Sequence, residues 1–474
     1  MLIKKYDIAV IGSGPAGEKA AIEASRLGAK TVIIEKGSRP GGAGLITGTI
    51  PSKSLRETVK YVESLFQSNI SGIDVCRDQK LTVKELMHRK NRVIKYRVND
   101  ILATYKKNNI DFIAGIAEFK STNQIFIHTN EKASDVIIQA KKIIIAVGAK
   151  PYHPDTLNFD GKYILDSDTI LRLKNIPESL LVIGGGVIGS EYATIFSKMG
   201  TRVIIVDSSR MLLNFIDHDI SNALADEIQK DGVQLKLGNT FKKVEVQDNH
   251  VVTTLTNREK ITTSVLLCAS GRQGMADKLN LKACGLKANS RSQLEVNSNY
   301  QTVIPDIYAV GDVIGFPSLV SVSNEEGRMA AQHAVINKEV SRIGADIPYG
   351  IYTIPEISMI GLTEEQLKKE NIPYGVGICR FKDLARGLII GSQKGMLKLL
   401  FHDETHKLLG VHIFGQSAAE LIHIGQSVIA FDGNVEYFIN TVFNFPTLSE
   451  AYKVAACSAI GSQLQNTNSP YCKC

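Results

Sequence analysis

No Cys-x-x-Cys pair occurs anywhere in this 474-residue chain. Its seven cysteines, Cys76, Cys268, Cys284, Cys379, Cys457, Cys472 and Cys474, are scattered and odd in number. That usage argues against a disulfide framework and for reduced thiols in the cytoplasm. No Cys/His spacing of the zinc kind is present, so no metal site is expected. No apolar run reaches the roughly 18 residues that suggest a membrane span. The net charge of +7 is spread along the chain with no long basic block. The balance is therefore read as that of a mildly basic protein, with neither nucleic acid nor a membrane as partner. The N-terminal MLIKKYDIAVIGSG lacks a small-residue cleavage site, and its apolar run ends in a glycine turn. It reads as a buried strand and not as a signal peptide.

What is present is one unit written twice. YDIAVI (Tyr6–Ile11) is a short β-prone run, followed by Gly12, Gly14, Pro15, Ala16 and Gly17, a helical stretch, and TVIIE ending in Glu35. LLVI, ending at Ile183, leads in the same way into Gly184, Gly186, Val187, Ile188 and Gly189, a helical stretch, and a strand ending in Asp207. In such a strand–GxGxxG–helix–strand–acid unit the first glycine permits the tight turn and the second admits a pyrophosphate. The third lets helix and strand pack closely, and the acid suits ribose hydroxyls. A single copy is weak evidence; two complete copies predict a doubly wound α/β protein that binds two dinucleotides. KIIIAVGAKP (Lys142–Pro151) and VLLCASGR (Val265–Arg272) follow as strands ending in glycine turns, and DIYAVGD (Asp306–Asp312) as a strand before Gly-Asp. A polar stretch from Asp155 to Ser179 reads as a domain junction.

With these residues and the elements GGAGLITGTIPSK (Gly41–Lys53) and FPTLSEAY (Phe445–Tyr452), the chain resembles the flavoprotein disulfide reductase family from Tyr6 to about Ala459. The resemblance implies FAD as cofactor, NAD and NADP as substrates, and a homodimer or larger homo-oligomer. It implies an FAD domain of residues 1–154 and 273–345, interrupted by an NAD(P) domain at 155–272. A C-terminal α+β dimerisation domain at 346–461 and a frayed tail at 462–474 follow. Further cofactor-binding residues implied are Lys36, Gly42, Gly48, Gly148, Gly271, Arg272, Gly311 and Asp312.

The family's chemistry uses a cysteine pair, a C-terminal histidine and a Lys–Glu pair near the flavin. Gly44 and Thr49 stand where the cysteines would fall, and Asn444-Phe445 precedes Pro446 where the histidine is expected. Lys53 and Glu191 match the retained pair. Without thiols, electrons cannot pass from flavin to a disulfide. What remains is exchange between nicotinamides, and GTIPSKSLRE, GIYTIPEIS and FNFPTLSEAYKVAA are similar to the transhydrogenase branch, which does this. The resemblance implies Si-specific, ping-pong hydride transfer from NADPH to NAD through reduced flavin, with Lys53, Glu191 and Thr49 at the reacting centre.

Asp207 favours NAD, whereas Arg210, three residues on, could meet a 2′-phosphate or stand in solvent. Glu450 is read as fixing a loop, and His412 and His423 as core or interface residues. Cys472 and Cys474 read as part of the frayed tail, against a redox arm reaching a partner. The competing functions are a dihydrolipoamide dehydrogenase-like diaphorase, an NADH oxidase, and a flavin-binding subunit without catalysis.

Overall fold

A computed structural model describes residues 2–67, 83–129, 135–344 and 346–464. Cys76, Cys472, Cys474 and most of the expected tail lie outside them; residues 462–464 end the helix Glu450–Leu464.

The first strand runs over Leu2–Ile11, longer than Tyr6–Ile11, because its beginning pairs with Val136–Ile145 from Leu2 opposite Val136 onward. It is central in a sheet ordered Asp111–Ala114, Thr31–Glu35, Leu2–Ile11, Val136–Ile145, Gln124–His128, Ile116–Ser121. Ile307–Ala309 pairs in parallel with the far end of Val136–Ile145, beyond the reach of Gln124–His128. Thr31–Glu35 is buried along its length, as expected of a parallel strand covered on both faces.

The second copy builds a five-stranded parallel sheet ordered Gln234–Leu237, Arg202–Asp207, Ser179–Ile183, Val265–Cys268, Ile164–Leu165. The stretch expected as a polar junction thus contributes an edge strand, two residues long and too short to show any periodicity. A three-stranded antiparallel sheet (Phe241–Gln247, His250–Leu255, Lys260–Thr263) is inserted before Val265. Ala149–Pro151 pairs with Arg272–Gly274 where the chain leaves the first sheet and returns.

The third sheet is antiparallel: Tyr349–Ile351, Ile357–Gly361, Leu408–Phe414, Met396–His402, Tyr374–Arg380. Helix Glu450–Leu464 packs on it through Ala451, Tyr452, Ala455 and Ala456. No helix among the described residues is long and apolar enough to cross a membrane, and none of their His, Cys, Asp and Glu side chains form a metal-binding group of three or more.

Candidate functional site

The two copies superimpose in their bonding. Gly12 donates its N–H to Ile34 O at 2.7 Å, and Gly184 donates to Val206 O at 2.9 Å. Both glycines have φ of 108°, left-handed backbone in which a side chain is strained. A Cβ on Gly17 would fall on the Gly12 carbonyl, and one on Gly189 on the Gly184 carbonyl. Between them, Gly186 has nothing within 4 Å of such a Cβ, and Gly14 only Gly42 Cα at 3.8 Å.

The following helices, Pro15–Arg26 and Val187–Lys198, begin at Gly14 and Gly186 with no side-chain cap. Their first N–H groups are left for an anion, and the middle glycine leaves room for it to approach. Gly189→Ala is therefore expected to lose stability by overpacking, by about 1–3 kcal/mol or more. Gly186→Ala should melt within ~1 kcal/mol of wild type yet bind pyridine nucleotide at least about tenfold more weakly. Thermal melts and nucleotide titration of the two variants check this.

The acids hold the loops. Glu35 Oε2 accepts from Ser13 N–H at 2.9 Å and Ser13 Oγ at 2.7 Å, and its Oε1 from Gly37 N–H at 3.0 Å. Asp207 Oδ2 accepts from Gly185 N–H at 2.5 Å and Oδ1 from Ser209 N–H at 2.6 Å. A cleft of about 590 Å³ opens over the second loop, lined by Gly184, Gly186, Val187, Ile188, Asp207 and Gly271 among others. It sits at the carboxyl ends of the strands, where the strand order reverses. Arg210 is exposed and does not line this cleft.

At the first loop, Gly311 (φ 75°) lies against Ala16 and donates its N–H to buried Glu326 at 2.7 Å. Burial pushes Glu326 up to about 7. Asp312 lies 3.9 Å from Arg272 Nε, and burial raises its pKa against the pull of Arg272. Arg272 also donates to Ala149 O at 2.6 Å. Burial likewise raises Asp168, opposed by the Arg272 charge and by a hydrogen bond with Thr47, and its Oδ1 is buried without a hydrogen-bond partner. Gly148 and Gly271 have positive φ, and nothing lies within 4 Å of where a Cβ would stand on either, so backbone there is open to a ligand. Gly48 closes on Ala43 O, and exposed Lys36 reaches Met275 Sδ at 3.5 Å. Bare helix ends, open glycines and an orphaned carboxyl oxygen fit a dinucleotide in each cradle.

Helix Thr49–Gln67 joins the two halves. Thr49 opens it, exposed, with Lys53 one turn further on the same face. Lys53 Nζ lies 2.7 and 2.6 Å from the two oxygens of Glu191, which is 4% exposed. Glu191 Oε1 also accepts from Tyr352 N–H at 2.9 Å, and the Tyr352 ring lies 4.9 Å from Lys53 Nζ. Gly44 packs against Pro15 and Val320. Asn444 and Phe445 stand exposed. His412 is fully buried, its pKa lowered by burial, with Nε2 2.9 Å from Leu362 O, whereas His423 is exposed. Tyr352, Glu326 and Asp168 escaped the sequence reading; only Tyr352 fell in a motif it quoted.

The sequence matches the family described as pyridine nucleotide-disulphide oxidoreductase over residues 6–335, and its dimerisation domain over 347–456, which supports a homodimer. It is 42% identical over 454 residues, 96% of this chain and 97% of the relative, to a protein of Mycobacterium bovis named soluble pyridine nucleotide transhydrogenase. A protein of the same name from Marinomonas sp. is 42% identical, covering 96% of this chain and 98% of its own. Among solved structures, the HOCl-induced flavoprotein disulfide reductase RclA from Escherichia coli, as its Cu(II) complex, aligns with TM-score 0.87 and 25% identity over 96% of this chain and 99% of its own. LpdA from Mycobacterium tuberculosis shares the fold, at TM-score 0.87 and 24% identity over 95% of this chain and 99% of its own. With both fingerprints, both domains and these relatives in agreement, the chain belongs to the pyridine nucleotide-disulphide oxidoreductase family, with FAD as its cofactor and a pyridine nucleotide as its substrate.

Proposed function

We propose that this protein is an FAD-dependent NAD(P)+ transhydrogenase of the cytoplasm that passes hydride from NADPH to NAD without a redox disulfide. The observation that carries the reading is the composition of one helix start. Gly44 and Thr49 replace the thiols that would pass electrons onward, while Lys53 remains paired with Glu191 a turn later. Bound FAD supplies a group that accepts hydride from one nicotinamide and returns it to the next.

The chain's own residues do the rest. Gly12, Gly14 and Gly17 admit the flavin pyrophosphate, and Glu35 holds that loop for the ribose. Gly184, Gly186 and Gly189 do the same for the pyridine nucleotide, with Asp207 at its ribose and Arg210 able to turn toward a 2′-phosphate. Lys53, fixed by Glu191, presents positive charge at the reacting edge, and Thr49 lies on the same helix face. One nicotinamide site serves both nucleotides in turn, so hydride enters and leaves on one face, the Si face. The FAD domain takes residues 1–154 and 273–345, the NAD(P) domain 155–272, and the dimerisation domain 346–461. The exposed Asn444–Pro446 segment suits contact with the partner subunit.

The test is anaerobic turnover of purified, FAD-loaded protein with NADPH and thio-NAD. Sustained reduction of thio-NAD is expected, together with full bleaching by one nicotinamide equivalent per chain. A bleached flavin with no thio-NAD turnover sinks the transhydrogenase reading. Uptake of a second electron pair sinks the disulfide-free one.

A further inference from the structure

Among the residues lining the nucleotide cleft, Asp207 carries the only charge, and both of its oxygens already accept backbone N–H groups. Its partner loop is bound to it from the other side: Asn239 donates its backbone N–H to Asp207 O at 3.0 Å, and Gly238 donates to Ser209 O at 2.9 Å. This places Asn239 in the cleft wall beside the ribose-recognising acid and Ser208. The Asn239 side-chain amide has no hydrogen-bond partner among the described residues. The nearby guanidinium of Arg210 is exposed and outside the lining, its stem running past Gly238.

We propose that Asn239 is the residue that lets this one cleft take both NAD(H) and NADP(H), by offering a neutral amide to the 2′ position of the adenosine ribose. The proposal rests on the reading of the protein as an enzyme that uses both nucleotides. An amide has two N–H donors and one carbonyl acceptor. A 2′-phosphate needs only donors; a 2′-hydroxyl gives one bond and takes one. The same side chain serves either. A guanidinium in its place favours phosphate by charge-assisted bonding. A carboxylate there sets a second negative charge beside Asp207, opposite a phosphate of charge about −1.5 to −2.

The experiment titrates the FAD-loaded protein calorimetrically with ADP-ribose and with 2′-phospho-ADP-ribose. Neither carries a nicotinamide, so hydride transfer plays no part in the readout. Asn239→Asp is nearly isosteric and retains the backbone bond to Asp207. It is expected to weaken the phosphorylated ligand by at least about tenfold and ADP-ribose by no more than about twofold. In kinetics KM for NADPH should rise by a larger factor than KM for NADH. Asn239→Ala, which removes donors and acceptor without adding charge, should weaken both ligands modestly and discriminate between them less than Asn239→Asp. Equal weakening of both ligands, or of neither, in Asn239→Asp overturns the proposal. Discrimination in that variant without thio-NAD turnover by the wild type overturns the transhydrogenase reading alone.

Discussion

Lys53→Met is expected to slow flavin bleaching by either nicotinamide about 10²–10³-fold while FAD remains bound. Removing one preorganised charge or donor aimed at developing negative charge has effects of this size. The lysine is placed for that task by neighbours on every side. Glu191 binds its ammonium through both oxygens, at 2.7 and 2.6 Å, and the Tyr352 ring faces it. Its helix is pinned one turn on by Arg56, which is buried, donates to Thr353 O at 3.1 and 3.0 Å and pairs with Glu356 at 2.9 Å. Methionine keeps the stem and its packing but leaves Glu191 with the Tyr352 amide as its remaining bond. That buried carboxylate then costs about 1–3 kcal/mol of stability. The two effects separate in experiment: anaerobic stopped-flow reads the rate, and a melt reads the fold. The Glu191→Gln variant keeps an acceptor for Lys53 and should lose less of the rate. Bleaching of Lys53→Met at wild-type speed removes the lysine from the reacting centre.

The halves of this site differ in how far they could be read from the chain. Each glycine loop was legible because its logic is local: turn, helix start and acid lie within about one βαβ unit. The structure repeats that logic twice, down to the same φ at Gly12 and Gly184. The Lys53–Glu191 pair spans 138 positions and was reached through the family resemblance, with no local signal to announce it. Tyr352, 161 positions from Glu191, fell in a quoted motif without a role, since its contribution to Glu191 is a backbone N–H that any residue but proline could offer. Glu35 and Asp207 were read as ribose acids, but their oxygens are already bonded to the loops themselves. Sequence position located these carboxylates and could not count their hydrogen bonds. Asn239 was missed for a related reason: it enters the cleft from the end of a neighbouring strand, outside the fingerprint.

Lys398→Met is expected to destabilise the protein by about 3–5 kcal/mol near neutral pH, the range for breaking a buried ion pair. Lys398 is 1% exposed and its ammonium lies 3.0 Å from Asp217, 2.7 Å from Asp219 and 2.6 Å from Glu364. Asp217 is fully buried and caps the helix His218–Lys230, so this lysine ties the nucleotide-binding half to the C-terminal sheet. The loss should depend on pH in a direction that the wild type fixes. Burial alone would raise Glu364, but hydrogen bonds from Lys368, Lys398 and Tyr374 hold it at about 2, below its ordinary 4.5. A depressed carboxyl contributes stability that is full above 4.5 and lost as pH falls toward 2. Lys398 is itself raised: burial lowers it, and bonds to Asp219, Glu364 and Asp217 outweigh that. Its contribution is therefore full below its ordinary 10.5 and lost only as pH rises through the higher folded value. In the variant the cation is gone, and Glu364 loses the Lys398 hydrogen bond and charge that help to hold it low. The stability lost with that contact is largest at neutral pH and shrinks as pH falls below the ordinary carboxyl value. Urea melts near pH 7 and near pH 4 should show the gap between variant and wild type narrowing at the lower pH. A gap that is equal at both, or absent at both, means that the three carboxylates do not depend on Lys398 for their charge.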